Sequence, residues 1–332
     1  MKELKAMGKI NRKLSIVVPL FNSEKTIESL VDKISDDLCK YVGSIELILV
    51  NDGSSDNTDD IVRKLIKKYP KKIVYIKLAK NFSEHNAVMC GLNGVTGDYV
   101  VIIDDDFQNP PEEILKLLNK IVEGYDVVYS YYKKKKHSPF RNLGSRFNNW
   151  IATKLLNKPK DLYLSSFKIL SKNLVKMIIQ YKGPFPYVDG LILQSTGNIG
   201  TQLCKHEKSA RGRSNYSLIK LVKLWLNVFT GFSITPLRIA SIIGFTVSGL
   251  AVLLMLFFIL SYLSGGIFFK QLIPPGWASL IVVVTFFGGI QLILLGIIGE
   301  YLGRLFLTVN KIPQFVIEEE ISLGKKENYE HE

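Results

Sequence analysis

The chain has 332 residues, 43 Lys and Arg against 30 Asp and Glu, a net charge of +13, and 47% hydrophobic residues. This composition excludes a disordered, collagenous or disulfide-framework protein, and the length corresponds to two domains at roughly 150 residues each. The charge is regional: residues 1–130 carry −2, 131–180 carry +11, 181–240 carry +6 and 241–332 carry −2. Cys39, Cys90 and Cys204 are far apart, with no C-x-x-C pair and no His at ligand spacing, so zinc and disulfide scaffolds are set aside in favour of a reducing compartment.

Residues 1–13 are a short basic N-terminal tail with no apolar signal-peptide segment. From residue 14 the pattern alternates between strands and helices. Leu14 to Leu20 and Ile45 to Asn51 are apolar, β-branched runs of the kind buried in parallel sheets. Between them Ile27, Leu30, Val31, Ile34 and Leu38 recur at helical spacing, with Ser23 or Asn22 as N-cap. Further strands are expected at Ile73 to Leu78, Tyr99 to Ile103 and Val127 to Tyr132, with helices across His85 to Leu92 and Pro111 to Glu123. Strand-helix alternation specifies an α/β open sheet, mostly parallel, with right-handed crossovers. Ligands then sit beyond the carboxyl ends of the strands.

Those ends carry Pro19 to Glu24, Asn51 to Asp56 and Asp104 to Pro111. Asp56 can equally be a cap for the helix from Thr58. Asp104, Asp105 and Asp106 form a stronger signal, because adjacent carboxylates repel unless a cation or a donor compensates them. Alternation along an extended segment points Asp104 and Asp106 the same way, and oxygen ligands completed by diphosphate suit Mg²⁺ or Mn²⁺. A solvated acidic turn before Pro110-Pro111 is the plainer alternative.

The motifs VVPLFNSE, ILVNDGSSDNT, NFSEHNAVMCGL, GDYVVIIDDDFQNPPEEI, GRSNYS and GEYLGR together resemble the GT-A family 2 glycosyltransferases, and within them the polyprenyl-phosphate group. The resemblance runs from about Leu14 to Arg304. It implies a Rossmann-like GT-A catalytic domain over residues 14–214. It implies that Pro19, Phe21 and Glu24 line the nucleotide pocket and that Asp52 binds the base edge. Asp104 and Asp106 would form the D-x-D, with Asp106 and Gln108 at the metal and Asp104 nearer the sugar or ribose. Lys208, Arg211, Arg213 and Ser214 would grip the acceptor phosphate. Three departures stand out: Ser209 replaces a frequent Arg, Asn215 a frequent Lys, and Ser83 a frequent Gly. Lys208 or Arg211 could supply the missing charge. His85 reads as a site residue or as ordinary packing. Asp189 and the stretch Ser165 to Leu170 are candidates for the substrate pocket, with a surface loop as the alternative for Asp189.

The basic stretch Lys133 to Lys136 reads either as a solvated loop or as a lure for anionic headgroups. No interleaved aromatic-basic module appears, so nucleic acid is not expected as a partner. Residues 215–235 hold an amphipathic segment, Tyr216 to Phe232, suited to the membrane interface or to packing on the core. Residues 236–304 hold two uncharged runs, Ile239 to Leu263 and Trp277 to Gly299, each long enough to span a bilayer, which needs about 20 apolar residues. Lys and Arg cluster outside this hairpin, which puts the bulk of the chain and a C-terminal tail from residue 305 on the cytoplasmic face.

The expected function is metal-dependent, inverting transfer of a sugar, UDP-linked by this reading, to undecaprenyl or another polyprenyl phosphate at the bacterial plasma membrane. The resemblance also implies a homotetramer. The alternatives are a processive polysaccharide synthase of the same fold and a non-catalytic sugar-nucleotide-binding scaffold.

Overall fold

The computed structural model describes residues 10–38, 40–132, 158–159, 162–207, 277–322 and 325–328, with isolated helical positions between 237 and 260. The chain divides into two units: residues 1–221 with 311–332, and residues 222–310.

The first unit is built on strands β1 (Ile10–Leu20), β2 (Val42–Asn51), β3 (Ile73–Leu78), β4 (Tyr99–Ile102), β5 (Val127–Tyr131), β6 (Lys168–Ser171), β7 (Ile199–Leu203), β8 (Ile317–Ser322) and β9 (Lys325–Asn328). They form one sheet in the order β7-β5-β6-β4-β1-β2-β3-β8-β9. Helices α1 (Ile27–Leu38), α2 (Thr58–Lys68), α3 (Glu84–Asn93), α4 (Ile114–Ile121), α5 (Lys172–Ile178) and α6 (Val188–Ser195) connect them, and a short 3₁₀ turn, Pro111–Glu113, precedes α4.

Both faces of the central strands are covered, which is why β1 and β2 read as continuous apolar runs. Ile16, Val18, Leu47 and Leu49 are fully buried with the helical stripe Ile27, Leu30, Val31, Ile34 and Leu38. Parallel pairing aligns Leu20 with Asn51, Asn51 with Lys77, and Val17 with Ile102. The carboxyl ends of the four central strands therefore open on one edge.

Two features depart from a mostly parallel reading. Among the described residues, parallel pairs join β1 to β2, β1 to β4, β2 to β3 and β5 to β7, whereas β3–β8, β4–β6, β5–β6 and β8–β9 run antiparallel. The sheet is mixed. Residues expected to form a tail instead supply β8, which covers the edge of β3 with register Ile76 to Glu320. Arg63 binds Glu319, and Lys77 Nζ lies 2.9 Å from Glu318 Oε1. An edge strand left bare would expose unpaired N–H and C=O groups.

In the second unit, α7 (Trp277–Val309) runs 33 residues. Its stretch Phe286–Val309 is long and apolar enough to cross a membrane by length and composition, and Phe286, Leu292, Ile293, Leu302 and Phe306 are exposed along it. It extends beyond the expected span, carrying Arg304 whose Nε donates to Glu300 Oε1 at 3.0 Å. Most of the expected first span, the connecting loop, the segment Tyr216 to Phe232 and Lys133 to Lys136 lie outside the described residues.

Candidate active site

The loops leaving β1 and β2 are laced together. Asn22 occupies the left-handed region at φ 54°, a conformation Asn tolerates better than most residues. Its N–H donates to Ser54 Oγ at 3.0 Å, and its Oδ1 accepts from the Ser55 N–H at 2.9 Å. The Ser23 N–H donates to Thr58 Oγ1 at 2.7 Å, and the Glu24 N–H to Asp56 Oδ2 at 3.1 Å. Glu24 Oε2 accepts from the Asn57 N–H at 3.2 Å and from its Nδ2 at 3.1 Å. Asp56 Oδ1 also accepts from the Thr58 N–H at 3.1 Å. Of the expected nucleotide-pocket residues, Glu24 thus ties the start of α2, Pro19 is half-buried in β1, and Phe21 lies on the lip, 45% exposed.

Asp52, only 3% exposed, turns toward the loop after β3. Its two carboxylate oxygens accept from the Phe82 N–H at 2.7 Å and the Ser83 N–H at 3.0 Å. Burial pushes its carboxyl up, and the two backbone donors oppose that rise. Gly53 follows at φ +66°, packed so closely on Lys80 and Asn81 that only a residue without Cβ fits. The same contacts hold the start of α3 against the β2 exit.

Asp104 to Asp106 lie just beyond β4, with Asp105 and Asp106 in a turn rather than an extended strand. Asp104 and Asp106 are half-buried and reached by solvent, while Asp105 turns inward at 3% exposure. Thr26 Oγ1 donates to Asp105 Oδ2 at 3.5 Å. Ser166 Oγ donates to Asp104 Oδ2 at 2.5 Å. Asp106 Oδ1 accepts the Gln108 N–H at 3.0 Å, closing a turn whose Phe107 sits at φ 62°. Neighbouring strand exits frame this turn. Tyr132, after β5, donates from its hydroxyl to Asn109 Oδ1 at 2.6 Å, and the Glu207 N–H, after β7, donates to the Gln108 carbonyl at 2.9 Å.

Among the described residues no group of three or more His, Cys, Asp or Glu converges as a metal cage. A pair of solvent-facing carboxylates, Asp104 and Asp106, with the half-buried Gln108 beside them, nonetheless suits a hard divalent ion that takes its remaining oxygens from a diphosphate. The donor set fits such an ion.

A second layer behind Asp104 was not legible as a unit in the sequence. Lys168 on β6 is paired with Asp189 on α6, both at least nine-tenths buried, and Tyr129 on β5 donates to Asp189 Oδ1 at 2.9 Å. A Lys between Phe167 and Ile169 in an apolar strand is itself a signal, since a buried ammonium needs a partner. Asp189, for which a surface loop was the alternative, is that partner. This pair joins the stretch Ser165 to Leu170 to the start of α6. Glu84, at the start of α3, is open to solvent yet crowded by protein. Burial, then the negative charge of Asp104, pushes its carboxyl up to about 7, with Lys168 opposing and Asp189 and Asp106 adding. His85 meets the Tyr187 ring edge-on at 5.2 Å, and burial lowers its imidazole, which favours the neutral form. Lys208, Arg211, Arg213 and Ser214 lie outside the described residues.

An open α/β sheet with paired carboxylates at the fourth strand exit is the GT-A arrangement of glycosyltransferases. Among solved structures, the chain superposes on glucosyl-3-phosphoglycerate synthase from Mycobacterium tuberculosis in complex with Mn²⁺, UDP and phosphoglyceric acid. The TM-score is 0.50 at 22% identity, covering 66% of this chain and 76% of that one, which establishes the fold. A family model described as glycosyl transferase family 2 matches residues 15–177. The chain is 30% identical over 325 residues to the undecaprenyl-phosphate 4-deoxy-4-formamido-L-arabinose transferase of Yersinia pestis (strain Pestoides F), covering 96% of each. The enzyme of that name from Yersinia enterocolitica serotype O:8 / biotype 1B (strain NCTC 13174 / 8081) matches at 30% over 326 residues, again 96% of each. The chain belongs to glycosyl transferase family 2 and is a glycosyltransferase.

Proposed function

We propose that this enzyme transfers a sugar from a nucleoside-diphosphate donor, UDP-linked by our reading, to the phosphate of a membrane polyprenol such as undecaprenyl phosphate, inverting the anomeric centre. The observation that carries the proposal is the end-to-end similarity, across 96% of both chains, to transferases named for undecaprenyl phosphate. That match includes the apolar helix α7 as well as the catalytic sheet.

On this reading the laced β1 and β2 exits hold the nucleoside, with Phe21 at the lip and Asp52 fixing the loop that borders the base. Asp106 and Gln108 hold a divalent ion, Mg²⁺ or Mn²⁺, and Asp104, aimed by Ser166, lies toward the ribose or sugar. When bound, the ion supplies Lewis-acid stabilisation of the charge that collects on the departing diphosphate. The acceptor phosphate is already ionised near neutral pH, so the side chains need not remove a proton from it. Their task is alignment of donor and acceptor for direct displacement. Lys208, Arg211, Arg213 and Ser214 bind the acceptor phosphate, and two apolar spans keep the catalytic unit at the cytoplasmic face where that phosphate lies.

The test uses membranes containing the full chain, a panel of radiolabelled nucleotide sugars and lipid extraction. A single-sugar lipid product that disappears with Asp106→Ala is expected. A polymer, a product retaining the donor configuration, or undiminished turnover by Asp106→Ala would refute the reading.

A further inference from the structure

Glu113 closes the 3₁₀ turn that follows Pro110-Pro111, and it is the most deeply buried carboxylate near the site, at 2% exposure. A buried carboxylate has to be paired and hydrogen-bonded, and its partners are informative. Lys116 Nζ lies 2.8 Å from Oε1 and 2.7 Å from Oε2, one turn along α4. The second partner is distant in sequence: the Lys205 backbone N–H donates to Oε2 at 3.1 Å. Lys205 leaves β7, and two residues later the Glu207 N–H donates to the Gln108 carbonyl at 2.9 Å. The Gln108 N–H in turn binds Asp106 Oδ1 at 3.0 Å, and the Glu113 N–H binds the Pro110 carbonyl at 3.0 Å. The β4 exit loop is therefore closed into a ring through Glu113, residues 205–207 and Gln108.

We propose that Glu113 is a positioning residue that sets the Asp106–Gln108 turn for its divalent ion by clamping the β7 exit segment against it. The proposal rests on the metal reading of Asp106 and Gln108 given above. Without the clamp, nothing from Glu113 holds Lys205, and the Glu207 contact that fixes the Gln108 backbone loosens. Residues that orient metal ligands from behind typically alter metal affinity by about 10–100-fold when removed. Gln in place of Glu113 keeps an oxygen that can accept from both the Lys205 N–H and Lys116, as Oε2 does. It loses the charge and turns the Lys116-facing Oε1 into an amide donor, so the clamp is weakened rather than lost.

The experiment is a Mn²⁺ titration of the full-length detergent-solubilised enzyme with UDP present, read by electron paramagnetic resonance of free Mn²⁺, alongside thermal unfolding. Glu113→Ala is expected to raise the half-saturating Mn²⁺ concentration about tenfold, and Glu113→Gln by roughly two- to fivefold. Excess Mn²⁺ should restore turnover in both, a rescue that a purely structural role would not produce. Should Glu113→Ala fail to fold, the Gln variant carries the test. Asp106→Ala serves as the control in the same titration. If it binds Mn²⁺ like the wild type, the metal reading falls and the proposal with it. If Asp106→Ala loses Mn²⁺ while both folded Glu113 variants, or the Gln variant alone, bind it normally, the proposal alone is overturned.

Discussion

Replacing Gly53 with alanine should unfold the catalytic unit at lower temperature and weaken nucleotide binding together. A Cβ at this position would lie 2.7 Å from both the Asn81 nitrogen and the Lys80 carbonyl carbon, and the φ of +66° is itself unfavourable for any residue with a side chain. The left-handed conformation costs about 1–2 kcal/mol. The clashing atoms are backbone, so relief requires the Lys80–Asn81 segment to move. That segment leads directly into Phe82 and Ser83, whose N–H groups Asp52 holds at 2.7 and 3.0 Å, and loosening a buried charged hydrogen bond costs a further ~1–3 kcal/mol. The combined cost of roughly 3 kcal/mol corresponds to a Tm lowered by about 6–12 °C for a unit of this size. The assay is thermal unfolding of the solubilised full chain, with UDP affinity measured by calorimetry. Gly124→Ala is the control: its φ is +107°, but nothing lies within 4 Å of the added Cβ. It should show the strain cost alone and leave UDP affinity intact. If Gly53→Ala binds UDP normally, the coupling from the β2 exit to Asp52 is wrong.

Three other outcomes follow from the same contacts. Removing Ser166 Oγ by Ser166→Ala should lower kcat/KM about ten- to hundredfold, the equivalent of a charge-assisted hydrogen bond of ~1.5–3 kcal/mol, with little change in Tm; unaltered kinetics would show that Asp104 needs no such partner. Burial would raise the Glu46 carboxyl, but hydrogen bonds from Ser15 and Thr96 and the Lys13 ammonium outweigh it and hold it below its ordinary 4.5. Because the folded-state value is depressed, its stabilisation is complete above about pH 4.5 and is lost as pH falls through the lower folded value. Glu46→Gln should therefore be less stable than wild type at pH 7 and show a shallower acid-unfolding slope; parallel curves would contradict this. Burial pushes the Cys90 and Cys204 thiols up to about 12, so peptide mass spectrometry should find both unalkylated by iodoacetamide in the native enzyme at pH 8 and modified after denaturation.

Much of the sheet was readable because its central strands are buried on both faces and its helices on one stripe. The expected strand Ile73 to Leu78 coincides with the structure, and the expected helix across His85 to Leu92 differs from α3 by one residue at each end. Asp105 does turn inward between Asp104 and Asp106, as the extended-segment reading expected. However, β4 ends at Ile102, and Asp105 and Asp106 sit in a turn, so the turn rather than a strand period sets it. The antiparallel insertion of β6 between β4 and β5 was not readable, since KILS carries no mark of strand direction. Nor was β8, whose acidic sequence IEEEIS looks like solvated tail until Arg63 and Lys77 are placed beside it.

What the sequence determined by itself is chemistry and order. It specified which strands end in carboxylates, where the long apolar runs lie, and which family motifs recur along the chain, because these are matters of residue type and spacing. Tertiary structure alone decided which of those groups face solvent and which hold the frame. The family resemblance assigned Glu24 and Asp52 to a nucleotide pocket and gave Glu113 no role, and only folding shows that Asn57, Phe82 and Lys205 come to them. The same holds for Lys168 and Asp189, which lie 21 residues apart in sequence and meet in the interior. For these polar groups, unlike the apolar strands and helix stripes, burial and partnership depend on contacts between distant segments that residue spacing does not specify.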